Sequence, residues 1–207
     1  MAKLLHIVAA PRAEGVSRTR SVAAAFFAEY HQTHPNDRID TLDLFAAALP
    51  EMDEVGVEAK FKNQRGEPMQ GAVAQRWQEI ESYVEQFLAA DKYVFTAPMW
   101  NFSIPYRLKL YIDVIVQAGR TFRFVAGKPD GLVTSRPVAL LASRGGRYQP
   151  GSPLAAANFQ DPYLKTILGF IGLTDLKVVA FEGTDSHGAE ERRAAALEQA
   201  RALARTF

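Results

Sequence analysis

Two kinds of hydrophobic segment alternate along the chain. Short, nearly unbroken apolar runs are typical of strands buried on both faces, whereas the longer segments have polar residues at helical spacing. We predict strands at residues 3–9, 38–44, 92–96, 137–142 and 176–181, and helices at residues 18–34, 72–90, 104–118, 162–171 and 189–206. Because a helix follows each strand, the strands must pair in parallel through crossover connections. The pattern therefore predicts a three-layer α/β fold with a doubly wound, five-stranded parallel sheet.

Two segments do not fit this alternation. Residues 45–71 contain charges, glycine and proline without a period, which predicts a surface excursion before the second helix. Residues 120–135 place the sequence Gly-Lys-Pro-Asp-Gly at 127–131, between two β-prone pieces. We therefore expect a small hairpin that stands off the main sheet. No repeat or linker is found, so residues 1–207 are expected to form one domain.

Composition narrows the function classes. Of the 207 residues 48% are hydrophobic, which excludes disorder as a description of the whole chain. With 24 Lys and Arg against 23 Asp and Glu, the net charge of +1 gives no general attraction to nucleic acid or to an anionic membrane. There is no cysteine, so thiol chemistry and Cys-held metals are excluded and any redox chemistry needs a bound cofactor. The apolar run at 4–10 is too short to span a membrane, and we expect a soluble, cytoplasmic protein.

The candidate chemistry lies in loops that follow the strands. In an open α/β sheet, ligands bind beyond the carboxyl ends of the strands, where the strand order reverses. After the first strand, Ser17 is a good helix N-cap, and its hydroxyl, that of Thr19 and the free N–H groups of the helix start could surround a phosphate. Arg12, Arg18 and Arg20 could add positive charge. The alternative is an ordinary serine cap with solvated arginines, and neither a Walker A loop nor a GxGxxG fingerprint is present.

The loop after the third strand is aromatic. Met99, Trp100, Asn101 and Phe102 follow the strand directly and would form a flat apolar wall at the mouth of the sheet. A planar ring system could lie against such a wall. The alternative is that the two aromatic rings only fill space under the third helix.

The loop after the fourth strand contains paired glycines. Ser143 and Arg144 precede Gly145 and Gly146, and adjacent glycines allow a backbone to approach a ligand closely and to direct N–H groups at an anionic edge. The alternative is a flexible glycine turn. Together the three loops place a phosphate site, an aromatic wall and an anion-compatible backbone at one crevice, which favours a phosphorylated aromatic ring system as ligand.

These motifs resemble a known family, the FMN-dependent NADH:quinone oxidoreductases, also called azoreductases, which have the flavodoxin-like fold. The segments that carry the resemblance are 97–102, 108–113, 118–122, 131–133, 143–146 and 168–172. The resemblance implies bound FMN, NADH or NADPH as electron donor, and two-electron transfer to quinones or aromatic azo compounds by a ping-pong mechanism. It also implies a homodimer.

The resemblance assigns roles residue by residue. The cofactor-binding residues that it implies are Ser17, Arg18, Thr19, Met99, Trp100, Asn101, Phe102, Ser143, Arg144, Gly145 and Gly146. Phe122 and Tyr148 are expected in the substrate pocket, although Phe122 suits core or dimer packing and Tyr148 suits an ordinary loop. Ala9 and Ala10 stand where many relatives have a phosphate-binding serine, so we expect weaker FMN binding. We assign no catalytic side chain.

No metal site is expected, because the four histidines have no metal-ligand spacing. Two other functions remain open. A flavodoxin-type electron carrier would bind the same cofactor without turnover, but such carriers are acidic and this chain has a net charge of +1. A receiver-like regulator would need acidic residues after the first and third strands, where this chain has Ala-Pro-Arg and Ala-Pro-Met.

Overall fold

A computed structural model describes residues 1–13 and 15–207. The strands are β1 (Lys3–Val8), β2 (Arg38–Asp43), β3 (Lys92–Thr96), β4 (Phe122–Val125), β5 (Lys128–Gly131), β6 (Val138–Arg144) and β7 (Leu176–Glu182). The helices are α1 (Arg18–Thr33), α2 (Glu54–Arg65), α3 (Gly71–Leu88), α4 (Tyr106–Ile115), α5 (Gln160–Phe170) and α6 (Ala189–Thr206), with a short 3₁₀ turn at Ala155–Ala157.

The main sheet is parallel and has five strands in the order β2-β1-β3-β6-β7, which confirms the predicted fold class. Successive side chains of β1 point to opposite faces. Leu5 and Ile7 pack in a core cluster with α3, α4 and α5, and Leu4 packs in a second cluster with α1 and α6. Since β1 leads outward to β2 on one side and the chain returns to β3 on the other, the strand order reverses between β1 and β3.

The prediction of an irregular excursion over residues 45–71 was wrong for Glu54–Arg65, which forms α2. Its end signals are ordinary: the Asp53 carboxylate accepts from the Gly56 N–H at 2.9 Å, and Gly66 ends the helix with φ of 66°. Only Gly56 and Ala59 are buried in this helix. Because its buried stripe is so narrow, its apolar positions show almost no helical period.

The hairpin within residues 120–135 is confirmed, but its turn lies earlier than predicted. Ala126 and Gly127 form the turn with φ of 50° and 77°, and the predicted loop residues Lys128–Gly131 form β5. Phe124 lies opposite Pro129 in this two-stranded sheet. A proline is compatible with an edge strand, because the missing N–H can face away from the ladder.

The remaining elements match their predicted positions, with ends that differ by a few residues. None of the helices in the described ranges is both long and apolar enough to cross a membrane.

Candidate functional site

A cleft of about 310 Å³ opens at the carboxyl edge of the sheet, where the strand order reverses between β1 and β3. Loops that follow β1, β3, β6 and β7 form its walls. The predicted cofactor residues that line it are Ser17, Arg18, Thr19, Met99, Trp100, Ser143 and Gly145. Thr184 and Asp185, in the loop after β7, also line it and were missed. Their signal was topological, because β7 ends at the same edge of the sheet as the other strands.

The start of α1 forms one end of the cleft. Ser17 is the N-cap, and its hydroxyl accepts from the Arg20 N–H at 3.2 Å. The N–H groups of Arg18 and Thr19 have no intrahelical acceptor, as at any helix start. Free N–H groups at the positive end of a helix dipole favour an anion.

Two of the nearby arginines face this end of the cleft and one does not. Arg12 and Arg18 are among the lining residues. Arg20 instead donates to the Ala10 carbonyl at 2.9 Å and to Asp43 at 2.7 Å. Arg20 therefore braces the loop after β1 against the end of β2 rather than adding charge to the cleft.

Arg18 is partly neutralised by a carboxylate at the rim. Its Nη1 donates to Asp185 Oδ1 at 2.6 Å and to Thr184 Oγ1 at 2.9 Å. The hydrogen bond from Arg18 lowers the pKa of Asp185, and a second bond from Thr184 acts in the same direction. Asp185 is exposed and stays ionised, so an incoming anion would meet a positive helix start and a negative rim together.

The aromatic loop after β3 turns sharply at Asn101 and Phe102. Trp100 and Ser103 exchange two backbone hydrogen bonds of 2.9 Å across the turn. The φ angles are 47° at Asn101 and 70° at Phe102, as in a type I′ turn. Asparagine tolerates this left-handed region, but phenylalanine rarely adopts it, so the loop stores local strain beside the cleft.

Trp100 separates two surfaces. On one side it lines the cleft, and on the other it borders an outer groove with Asn101 and Tyr106. Its ring centroid is 5.9 Å from that of Phe45 and 6.5 Å from that of Tyr106. Asn101 thus faces the outer groove and does not line the cleft.

Ser143 joins the two ends of the cleft. Its hydroxyl lies 2.6 Å from the hydroxyl of Thr19 in α1, and its carbonyl accepts from the Met99 N–H at 3.0 Å. One residue at the end of β6 therefore contacts both the helix start and the aromatic loop.

Four predicted site residues lie outside the lining of the cleft. The Arg144 side chain is buried and directed at Asp161 and Glu182, and it is the backbone of the neighbouring Gly145 that borders the cleft. A Cβ on Gly146 would lie 2.7 Å from Leu154, so this glycine permits close packing. The members of this group are Asn101, Phe102, Arg144 and Gly146.

The two predicted substrate-pocket residues lie apart from each other. Phe122 packs against Phe170, with ring centroids 4.6 Å apart, at the hairpin and the end of α5. Tyr148 is buried behind the aromatic loop, 6.4 Å from the Phe102 ring. Neither lines the cleft.

His6 is held neutral inside the fold. Its Nε2 shares a hydrogen bond of 2.8 Å with Thr96 Oγ1. Burial lowers its pKa to about 3, with a further contribution from the charge of Arg20. Within residues 1–13 and 15–207, no cluster of His, Asp and Glu side chains is arranged to hold a metal ion.

Comparison with known proteins assigns the chain to a family. A family profile described as flavodoxin-like fold matches residues 2–204. An FMN-dependent NADH:quinone oxidoreductase of Nitratidesulfovibrio vulgaris is 44% identical, over 100% of both chains. An azoreductase of Bacillus anthracis, 35% identical, superposes with a TM-score of 0.94 over 100% of both chains. An FMN-dependent NADH-azoreductase of the same species, solved in complex with FMN, is 26% identical with a TM-score of 0.90 over 98% of this chain and 97% of that one.

Proposed function

Because the chain belongs to the flavodoxin-like family of FMN-dependent NADH:quinone oxidoreductases, we propose that it is an enzyme that binds FMN and transfers two electrons from NADH to quinones or aromatic azo compounds. The observation that carries the proposal is that the α1 start and the Trp100 wall line the same cleft. When bound, FMN supplies the two-electron chemistry that protein side chains lack.

The donor set at the α1 end fits a phosphate ester. Ser17 and Thr19 carry hydroxyls, the helix start presents N–H groups, and Arg12 and Arg18 supply positive charge. Charge-assisted hydrogen bonds of this kind are among the stronger ones in proteins. We assign these residues to the phosphate of FMN.

The other end of the cleft fits a flat heterocycle. Met99 and Trp100 present apolar surface, and Gly145 has no side chain that would keep the edge of a ring from its backbone. We assign these residues to the ring of FMN and expect Trp100 to exclude water from one side of it. Asn101 and Phe102 then shape this wall through the turn that they form, and Arg144 acts from behind it.

Absorption spectroscopy with titrations of FMN and NADH tests the proposal. We expect the purified protein to bind FMN stoichiometrically and the bound flavin to lose its yellow colour within seconds of adding NADH without oxygen. A quinone should restore the colour. A protein that binds FMN but stays yellow with NADH would be an electron carrier, and one that takes up no FMN would contradict the proposal altogether.

The kinetic order and the donor are finer parts of the same proposal. We propose ping-pong exchange, because a single bound flavin can accept two electrons from NADH, release the oxidised donor and then reduce a quinone at the same position. Initial rates at several NADH and quinone concentrations should then give parallel double-reciprocal lines. Intersecting lines would contradict it. The same assay with NADPH decides between the two donors.

We also propose that residues 1–207 act as one domain, that the protein is a homodimer and that it works in the cytoplasm, where NADH is supplied. Large apolar side chains are exposed near the cleft and the hairpin, among them Phe102, Phe124 and Phe159. Such surface is typical of association sites. Sedimentation should give twice the chain mass of 22.9 kDa, and a monomer at micromolar concentration would contradict the dimer.

A further inference from the structure

A buried ionic cluster lies behind two loops of the cleft, the aromatic loop 98–102 and the glycine loop 145–149. These loops form the end of the cleft that we assign to the flavin ring, which we call the ring end. Arg144 and Glu182 are paired in register at the ends of β6 and β7, with Nη1 of the arginine 2.9 Å from Oε1 of the glutamate. Nε of the same guanidinium donates to Gln160 Oε1 at 3.1 Å, and Nη2 donates to Asp161. The Arg144 side chain is only 2% exposed. We call these four residues the Arg144 cluster.

One arm of the cluster holds the aromatic loop. The Gln160 amide donates to the carbonyl of Pro98 at 3.0 Å, and the N–H of Phe159 donates to the carbonyl of Phe102 at 3.0 Å. These carbonyls are the two ends of segment 98–102, which contains the strained turn. The turn is thus fixed by the corner that begins α5, and Gln160 links that corner to Arg144.

The other arm holds the glycine loop. Glu182 Oε2 accepts from the N–H groups of Tyr148 at 3.0 Å and Gln149 at 3.2 Å, while its Oε1 is bonded to Arg144. The N–H of Gly183 donates to the carbonyl of Gly146 at 2.9 Å. Segment 145–149 is therefore tied to the end of β7 through the same cluster.

A guanidinium is suited to this position. It is planar and presents donors in several directions at once, whereas a lysine ammonium on the same strand is a single point. A buried charge is also costly unless it is fully paired, so the cluster has one favoured arrangement. Small displacements of Arg144 would move both loops.

We propose that Arg144 is a positioning residue that sets the spacing between the aromatic loop 98–102 and the glycine loop 145–149. It acts through Gln160 and Glu182 and does not contact the ligand. Loss of this spacing loosens the ring end of the cleft, exposes Trp100 beyond its present 37% and weakens the binding of a planar ring. The last effect rests on the proposed function, whereas the exposure of Trp100 does not.

Two variants test this. Arg144→Lys keeps the charge but cannot serve all three partners, and Gln160→Met removes the bond to Pro98 while leaving both ion pairs of Arg144. The chain has two tryptophans, so Trp77→Phe in every protein makes Trp100 the only one. Iodide quenching of Trp100 is measured in flavin-free protein, and FMN dissociation constants are measured separately.

Arg136→Lys is the matched control. Arg136 precedes β6 at the opposite edge of the sheet, and its guanidinium donates to the carbonyls of Leu88 at 2.8 Å and Ala90 at 2.7 Å. Its replacement costs hydrogen bonds of an arginine to these carbonyls and to the Tyr93 hydroxyl, far from the cleft. Melting temperatures of all variants report the general loss of stability.

We expect both test variants to make Trp100 about twofold more accessible to iodide and to raise the FMN dissociation constant about tenfold, which corresponds to about 1.4 kcal/mol. Arg136→Lys should change neither the iodide quenching of Trp100 nor the FMN dissociation constant, even where it lowers the melting temperature by the same amount. Parent-like values in Gln160→Met, or equal changes in the control, overturn the proposal, and Gln160→Met alone decides if Arg144→Lys does not fold. If the parent binds no FMN, the proposed function fails, and quenching of Trp100 still decides the positioning role.

Discussion

At the scale of single residues, two hydroxyl groups at the start of α1 line the cleft. Ser17 caps the helix, and Thr19 shares its hydroxyl hydrogen bond with Ser143. Both side chains are buried, so the only polar partners open to them lie in the helix end and the cleft. If the proposed FMN phosphate binds at this end, Ala9 and Ala10 offer it no side-chain hydroxyl, and Ser17 and Thr19 supply the two that line the cleft.

We predict that Ser17→Ala combined with Thr19→Ala raises the FMN dissociation constant by at least about 100-fold, because two hydrogen bonds to a charged group are lost and each is worth about 1.5–3 kcal/mol. Fluorescence titration measures this. Loss of the cap itself costs about 1 kcal/mol of stability, so Asp53→Ala, which uncaps α2, is the control. An unchanged constant in the double variant, or an equal rise in the control, would count against the phosphate assignment.

A second residue makes stability depend on pH. The pKa of His6 falls from 6.5 to about 3 on folding, so the native state keeps it neutral while the unfolded chain binds a proton below pH 6.5. Stability is therefore lost as pH falls from 6.5 towards 3. At pH 4.5 the expected loss is about 2–3 kcal/mol.

His6→Gln should remove this loss, since glutamine does not titrate and still offers Thr96 a hydrogen-bond partner. Urea unfolding at several pH values measures it, with the exposed His187→Gln as control. Curves for parent and His6→Gln that stay parallel from pH 7 to 4.5 would refute the prediction.

The residue scale also shows which part of the site could be predicted. Four of the predicted residues do line the cleft, namely Ser17, Thr19, Trp100 and Gly145. They could be predicted because the ends of strands and the starts of helices follow from local sequence. Arg144 is next to Gly145 in the same motif, yet its direction is set by Asp161 and Glu182, which are 17 and 38 residues away in the chain. Local sequence contains no signal for such long-range contacts.

At the scale of elements, the hairpin is joined to the end of α5 by a contact between two glycines. A Cβ on Gly131 would lie 2.3 Å from the Gly172 nitrogen and 2.4 Å from the Ile171 carbonyl carbon. Backbone atoms cannot move aside as a flexible side chain can. This close approach brings the Phe122 ring into contact with the Phe170 ring and so holds the hairpin against the end of α5.

Gly131→Ala should therefore lower the free energy of unfolding by about 3 kcal/mol, as overpacking against rigid neighbours does. Gly169→Ala, within α5 and facing open space, should raise it by about 0.5–1 kcal/mol, because alanine is the better helix former. Urea denaturation measures both changes. If the two variants had equal free energies of unfolding, the backbone around Gly131 would have shifted to accept the added methyl group, and the prediction would be wrong.

Elements were predictable where a wide face is buried. The five strands of the main sheet and the helices that cover them have strong patterns, whereas α2 buries only Gly56 and Ala59 and was missed. Its N-cap Asp53 and its terminal Gly66 were readable, but such end signals gain weight only beside an apolar period. The hairpin turn was predicted too late in the chain because of Pro129. Proline is common in turns, but an edge strand also tolerates it, and here it lies in β5.

At the scale of the whole molecule, ligand binding should stabilise the fold. If the cleft binds FMN, a concentration of about 100 times the dissociation constant adds about 2.7 kcal/mol to the free energy of unfolding. For a protein of this size that corresponds to a rise in melting temperature of roughly 5–11 °C. Riboflavin, which lacks the phosphate, should give a smaller rise at equal concentration. Equal rises for the two flavins would mean that the α1 end takes no part.

The packing of α1 against α6 has a consequence for synthesis. Phe26 and Tyr30 of α1 are covered by Ala200, Ala204 and Phe207, and Thr33 touches the Ala204 carbonyl across 171 residues of sequence. While the ribosome is still adding that intervening length, the nascent chain carries two large uncovered rings. The time for which this face stays open during synthesis is set by the speed of translation.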